Sequence, residues 1–414
     1  MAKNKIRHMD SVGTVLKRIE PLHQAARSGD FISVPTELMN EADMLIPDSC
    51  GRNFFHVAAK FGYLDKIPLQ FLSAANLLVP VPFPVKEFGY GYTAFHLAAM
   101  HGYLDQVPSH YLNHSNMSTT APDGSTVLHV AAKWGNLTQL PTELLSEQNL
   151  LKQDRKGVSV LHLIANSSSF GLVPTSIVTV TNLRLANKEK NTVFHMLARS
   201  GELQLLPKDI LTAENMLIPN EYNNTPLYCA AVCKHLDQLP NELLTGENLM
   251  RPCKRGRTAL QAASLSGDLK QVPPGLLTEG NVRYADNDGD TILHCAAMSG
   301  QLSKLPECLL TLKNVMRKDA SGHTVLYLAA ENGNLDQLPQ ALLAERNLMV
   351  CDKDGANCLT AAVKSESLDH LLGVELSEEA REIVGEAWFA KNKKLLSDKH
   401  RLESELVDND IELF

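Results

Sequence analysis

The sequence predicts an all-α fold, a solenoid of stacked helix-turn-helix units with projecting loops, on three observations. A proline recurs at Pro35, Pro68, Pro108, Pro141, Pro174, Pro207, Pro240, Pro273, Pro306 and Pro339, every 33 residues apart from one interval of 40. Upstream of it lies a block best read at Ser125–Leu137. The threonine of that block returns as Thr93, Thr126, Thr192, Thr225, Thr258, Thr291 and Thr324, with Ser159 in the remaining slot. Its histidine returns as His23, His56, His96, His129, His162, His195 and His294. Downstream of the proline, an asparagine followed by Leu, Met or Val stands at Asn76, Asn116, Asn149, Asn182, Asn215, Asn248, Asn281, Asn314 and Asn347. Self-similarity at a fixed period of a few tens of residues marks a one-dimensional stack of supersecondary units. Such stacks present extended surfaces that hold partners.

Each element of one repeat has a local reason. Val127–Trp134 carries apolar and small residues at helical spacing and supplies the first helix. Paired alanines, as at Ala131/Ala132, let neighbouring repeats approach closely. Gly135 and its counterparts Gly62, Gly102, Gly201, Gly267, Gly300 and Gly333 suit the left-handed residue that ends a helix. Pro141 then fits the first turn of a second, shortened helix, where a missing N–H has no partner to lose. Ser, Thr or Asn follows the next apolar pair (Asn40, Ser73, Asn113, Ser146, Thr179, Thr212, Thr245, Thr278 and Thr311) and caps a further short turn that closes at the asparagine. The loop Asp154–Gly157 makes a projecting finger before the next threonine.

The pattern resembles the ankyrin repeat, whose signature Thr-Pro-Leu-His-x-Ala is approached most closely by Thr225-Pro226-Leu227-Tyr228-Cys229-Ala230. The resemblance covers residues 21–372, ten repeats and a partial eleventh beginning near Cys358. It departs from the usual consensus in its Leu-Pro-x-Glu-Leu-Leu and Asn-Leu segments. The resemblance implies that the repeated histidine is structural and bonds backbone between neighbouring turns. It also implies that fingers and the exposed side of the first helices line a concave surface that grips other proteins.

Composition narrows the class. The 414 residues are 44% hydrophobic and carry a net charge of −8, an ordinary globular balance without a membrane-length apolar run or a secretory leader. The eight cysteines lack Cys-x-x-Cys spacing. Cys229 and Cys295 fall in a core slot, which points to free thiols in a reducing, cytoplasmic setting. No phosphate loop, nucleophile elbow or carboxylate constellation stands out, so no catalytic residue, cofactor or metal ligand is assigned and the chain is read as a non-enzyme. His110 and His114 have the i,i+4 spacing of a helical metal clip but lack a third ligand.

The ends and two repeats differ. Residues 1–20 form an N-terminal cap in which Asp10–Ile19 makes a short helix. Residues 373–414 form a helix starting at Ser377, with Ala380, Ile383, Val384, Ala387, Trp388, Leu395 and Leu396 on one face, followed by an acidic tail; this helix caps the stack, or else dimerises or recruits a partner. The 40-residue interval inserts seven residues in the loop Val79–Tyr92, which carries Phe83, Phe88, Tyr90 and Tyr92. The fifth repeat has Asn166-Ser167-Ser168-Ser169 where a glycine turn is usual, which predicts a local distortion.

The candidate partner-binding residues are those in the finger and first-helix slots. On first helices they are Lys60, Phe61, Lys133, Trp134 and Arg199; in fingers Arg155, Lys156, Tyr222, Arg251, Lys254, Arg255, Arg257, Arg283 and Tyr284; in the inserted loop Phe83, Phe88, Tyr90 and Tyr92. Glutamates such as Glu143, Glu147, Glu242 and Glu345 fall on the segments facing away. The expected function is a protein–protein interaction scaffold for an acidic partner surface, as inhibitor, adaptor or regulatory subunit. Nucleic-acid binding through basic fingers is opposed by the acidic total, and a host-directed effector role is compatible with the scaffold.

Overall fold

The computed structural model describes residues 2–82, 91–371, 374 and 376–385. Phe83, Phe88 and Tyr90 of the inserted loop, and Ala387, Trp388, Leu395 and Leu396 of the expected C-terminal helix, lie outside the described residues. Among the described residues the fold is all-helical, with isolated bridges as the only strand-like pairing. Contacts divide the chain into two compact units, residues 1–211 and 212–414.

In the first unit the long helices are α1 (Ala2–Ser28), α2 (Phe54–Phe61), α3 (Ala94–His101), α4 (Val127–Lys133), α5 (Val160–Asn166) and α6 (Val193–Ser200). Each packs on the next, as expected of a helical repeat. In the second unit α7 (Pro226–Cys233), α8 (Ala259–Ser266), α9 (Ile292–Ser299), α10 (Val325–Glu331) and α11 (Cys358–Lys364) stack in the same consecutive way. The alanine pairs sit at the helix contacts: Ala98, Ala99, Ala131, Ala296, Ala297, Ala329 and Ala330 are wholly buried. Their small side chains leave room for backbone approach, and Phe54, Phe55, Phe95 and Phe194 fill the wider parts of the first unit's core.

The segment after each long helix corrects the sequence reading. No second α-helix forms around the proline. Leu137–Gln139 and Thr142–Leu144 are single 3-10 turns, and Pro141 lies between them in extended conformation (φ −55°, ψ 137°). A one-turn α-helix, Glu147–Leu150, follows. The asparagine does close this turn: Asn149 Nδ2 donates to the Leu144 carbonyl at 2.8 Å, and Asn116, Asn182, Asn248, Asn281, Asn314 and Asn347 repeat the bond at 2.7–3.0 Å. The caps form as expected at Asn40, Ser73, Asn113, Thr179, Thr245, Thr278 and Thr311.

Three further expectations need revision. The N-terminal helix is not a separate short cap; α1 runs unbroken from Ala2 through Pro21 to Ser28 and includes the first repeat's helix. The fifth repeat is not distorted, because Ser168 adopts φ 54°, the conformation that glycine takes elsewhere. His110 and His114 do not share a helix. His110 lies in a 3-10 turn, and Asn113 caps a new turn at His114. At the C-terminal end, Ala380 and Val384 are buried and Ser377 donates its backbone N–H to Glu345 at 2.7 Å.

Candidate interaction surface

The fingers are held by hydrogen bonds that individual residues supply. At the base of six of them one Asp or Asn accepts two backbone N–H groups. Asp154 Oδ1 takes those of Lys156 and Val158, both at 2.8 Å, and Asp48, Asn220, Asp286, Asp319 and Asp352 do the same at 2.8–3.0 Å. Ala121 and Cys253 stand in that slot in two others, and the Cys253 finger is closed by backbone bonds, Cys253 N to Arg257 O and Gly256 N to Cys253 O, both 2.8 Å. Isolated bridges such as Gln153 with Ser159 and Pro252 with Thr258 close the loop above. Neighbouring fingers are then tied tip to tip. Arg155 N donates to Asp123 O (2.9 Å) and Lys188 N to Lys156 O (3.0 Å). In the second unit Lys254 N donates to Tyr222 O (2.9 Å), Asn287 N to Arg255 O (3.0 Å) and Ala320 N to Asp288 O (2.8 Å).

At His129, His162 and His294 the repeated histidine joins the long helix to the next finger. Thr126 N–H donates to His129 Nδ1 at 3.1 Å, and His129 Nε2 bonds the Val158 carbonyl of the next finger at 3.1 Å. His162 reaches Asn191 O and His294 reaches Arg317 O in the same way, each at 3.1 Å. A ring that accepts at Nδ1 and donates at Nε2 is neutral. Burial holds these imidazoles below their ordinary pKa, down to about 4 at His56 and His96. Gln261 occupies the histidine slot of α8 and makes both bonds without a titratable group: Oε1 accepts from Thr258 N (2.9 Å) and Nε2 donates to Asp290 O (2.6 Å).

On that frame the expected site residues separate into two groups. Phe61, Lys133, Trp134, Arg155, Lys156, Arg199, Tyr222, Arg251, Lys254 and Arg255 are exposed, with Trp134 at 54% and Tyr222 at 51%. Lys60 is half-buried, its ammonium 5.6 Å from the Phe61 ring centre. Arg257, Arg283, Tyr284 and Tyr92 are engaged inside the chain. Arg257 donates Nε to Asp286 (2.8 Å) and Nη2 to Asp290 (3.0 Å). Arg283 donates Nε to Asn314 Oδ1 at 3.0 Å and pairs with Glu279, while the Tyr284 hydroxyl donates to Gly256 O at 3.1 Å. Tyr92 stacks on His96 with ring centres 5.0 Å apart, at the closed base of the inserted loop, where Val81 N donates to Tyr92 O at 2.9 Å.

The fingers are also less uniformly basic than a count of Arg and Lys suggests. The base of the finger after Arg257 is an acidic cluster of Asp286, Asp288 and Asp290, where burial and then the Asp286 charge push the Asp290 carboxyl up to about 6. His323 lies between Asp319 (3.2 Å) and Asp352 (3.4 Å) in the following fingers. Of the expected basic finger residues, the exposed ones are therefore Arg155 and Lys156 in the first unit and Arg251, Lys254 and Arg255 in the second.

Sequence reasoning missed a glutamine two residues before the proline. Gln106 accepts from Leu64 N (3.1 Å) and donates to Gly62 O (2.9 Å), so it brackets the preceding repeat's 3-10 turn. Gln139 accepts from Leu104 N at 3.0 Å, and Gln271 and Gln337 reach back likewise. Its recurrence at Gln238, Gln271 and Gln337 was the available signal. The chain matches no protein-family model and no curated protein.

Proposed function

We propose that the chain is an ankyrin-type repeat protein, a solenoid that acts without catalysis by binding another protein along its fingers and first-helix ends. In this role it serves as an inhibitor, adaptor or regulatory subunit. The observation that carries the reading is the row of exposed Arg, Lys and aromatic side chains on fingers whose backbones are tied to one another, by Asp or Asn turns as well at Asp154 and Asn220 and by backbone bonds alone in the Cys253 finger. Preorganised loops lose little entropy on binding, and Arg and aromatic side chains are typical anchors of interfaces. The exposed cluster Arg251, Lys254 and Arg255 favours an acidic partner surface. Among the described residues no helix is long and apolar enough to cross a membrane. The buried free thiols Cys229, Cys295 and Cys358 support a reducing, cytoplasmic location.

The test is quantitative affinity purification of the tagged full chain from its own cells, beside an R251E/K254E/R255E variant. Arg257 is left intact because its charge holds Asp286 and Asp290. We expect recovery of the specific partner to fall at least tenfold. Equal recovery removes the finger assignment, and a purified chain that retains no protein at all removes the scaffold reading.

A further inference from the structure

Two slots at the end of each long helix line up through the first unit, because equivalent positions on consecutively packed helices share a face. The earlier slot holds Arg27, Lys60, Met100, Lys133, Asn166 and Arg199: four cations and no acid. The slot after it holds Ser28, Phe61, His101, Trp134, Ser167 and Ser200. Three rings therefore stand on three successive helices, α2, α3 and α4, beside a line of positive charge. All three are exposed, Phe61 at 40% and Trp134 at 54%. The composition is specific to this unit. The earlier slot in the second unit reads Val232, Leu265, Met298, Glu331 and Lys364, and the later one has no ring from Cys233 to Asn332.

The pitch of the row selects among ligands. Packed helices lie about 8–10 Å apart, so successive rings repeat at about that spacing. A polyproline II chain advances about 3.1 Å per residue with three residues per turn, so equivalent side chains recur about every 9 Å. An extended strand places same-face side chains about 6.7 Å apart. A polyproline II segment with an acid at every third residue thus sets one carboxylate against each cation and one pyrrolidine face against each ring.

We propose that the α2–α6 helix ends bind an extended, acidic, proline-rich segment of a partner protein, its prolines on Phe61, His101 and Trp134 of α2–α4 and its carboxylates on Lys60, Lys133 and Arg199 of α2, α4 and α6. The proposal rests on the scaffold reading but names a different surface from the fingers. The chain's own net charge of −8 and its four cations over six repeats favour a polypeptide over single-stranded nucleic acid, which carries a phosphate per nucleotide.

The experiment uses the full chain and a labelled (Glu-Pro-Pro)4 peptide, read by fluorescence anisotropy at low and physiological salt. Saturable binding is expected to weaken at least tenfold in F61A/W134A and in K60E/K133E, to weaken with salt, and to be absent for (Lys-Pro-Pro)4. R251E/K254E/R255E should bind the peptide as the parent does. Circular dichroism of each surface variant checks that it is folded. No binding of (Glu-Pro-Pro)4, binding indifferent to both helix-end variants, or preference for a twelve-nucleotide uridine oligomer would each overturn the proposal. None of these outcomes touches partner capture by the fingers, so failure here and failure of the scaffold reading are separately visible.

Discussion

Acidification should loosen the first unit through its histidines, and the effect has a size. His56 and His96 are buried, and burial lowers each from 6.5 to about 4. Between those values the unfolded chain takes up protons that the folded chain refuses, so stability falls as pH falls through that window and levels off below about 4. At pH 5 an unfolded histidine is almost wholly protonated and these two only about a tenth so. Relative to pH 7.5, that costs about 2 kcal/mol for each ring, about 4 kcal/mol for the pair. His23, His129 and His162 act in the same direction. The perturbation is H56Q/H96Q, since His56 accepts from the Asn53 N–H and His96 from the Thr93 N–H, and Gln261 shows that an amide in this slot accepts from the same cap position and donates to the next finger. Urea unfolding is followed by Trp134 fluorescence in a Trp388→Phe background at pH 7.5 and pH 5. The double variant should stay within about 1 kcal/mol of the parent at pH 7.5, the scale of one net hydrogen bond, yet lose about 4 kcal/mol less on acidification. A variant that loses as much stability as the parent would refute the idea that these imidazoles are held neutral.

Two more outcomes follow from pairings inside the repeats. Asn314 is fully buried and joins three partners, donating to Leu309 O (2.9 Å) and Glu279 (3.0 Å) and accepting from Arg283 (3.0 Å). N314A should cost about 3 kcal/mol in urea unfolding and N248A, at a half-buried site with the single bond to Leu243 O, about 1 kcal/mol; equal costs would show that the cross-repeat bonds contribute nothing. Ser168 holds φ 54°, which penalises an L side chain by about 1 kcal/mol, so S168G should raise stability by that amount, and a lowered midpoint would contradict the left-handed assignment.

What could be read from the sequence was whatever repeats with the period. The Thr-x-x-His block, the alanine contacts and the asparagine turn recur in register, and each copy reinforces the inference. The second helix was misjudged because Pro141 is compatible with both a helix start and an extended residue at φ −55°. Only the tertiary frame, in which Gln139 donates back to the preceding repeat, decides between them. The role of Ser168 was misjudged for the opposite reason: packing on both sides sets its backbone, so a poor local residue follows the geometry of its neighbours.

Pairings between repeats, by contrast, depend on two residues about 33 apart whose identities change from copy to copy, and no period announces them. Arg257 illustrates the consequence. By composition it belongs with Arg251, Lys254 and Arg255 as a basic finger residue, yet Asp286 and Asp290 one repeat later claim its guanidinium. Removing it would leave two poorly hydrated carboxylates facing each other, a change in stability rather than in recognition. A surface residue of a repeat protein can be assigned to a partner only after the next repeat has been asked whether it holds that residue already. By this criterion the exposed basic group is Arg251, Lys254 and Arg255 in the second unit, and the first unit carries the helix-end row from Lys60 to Arg199.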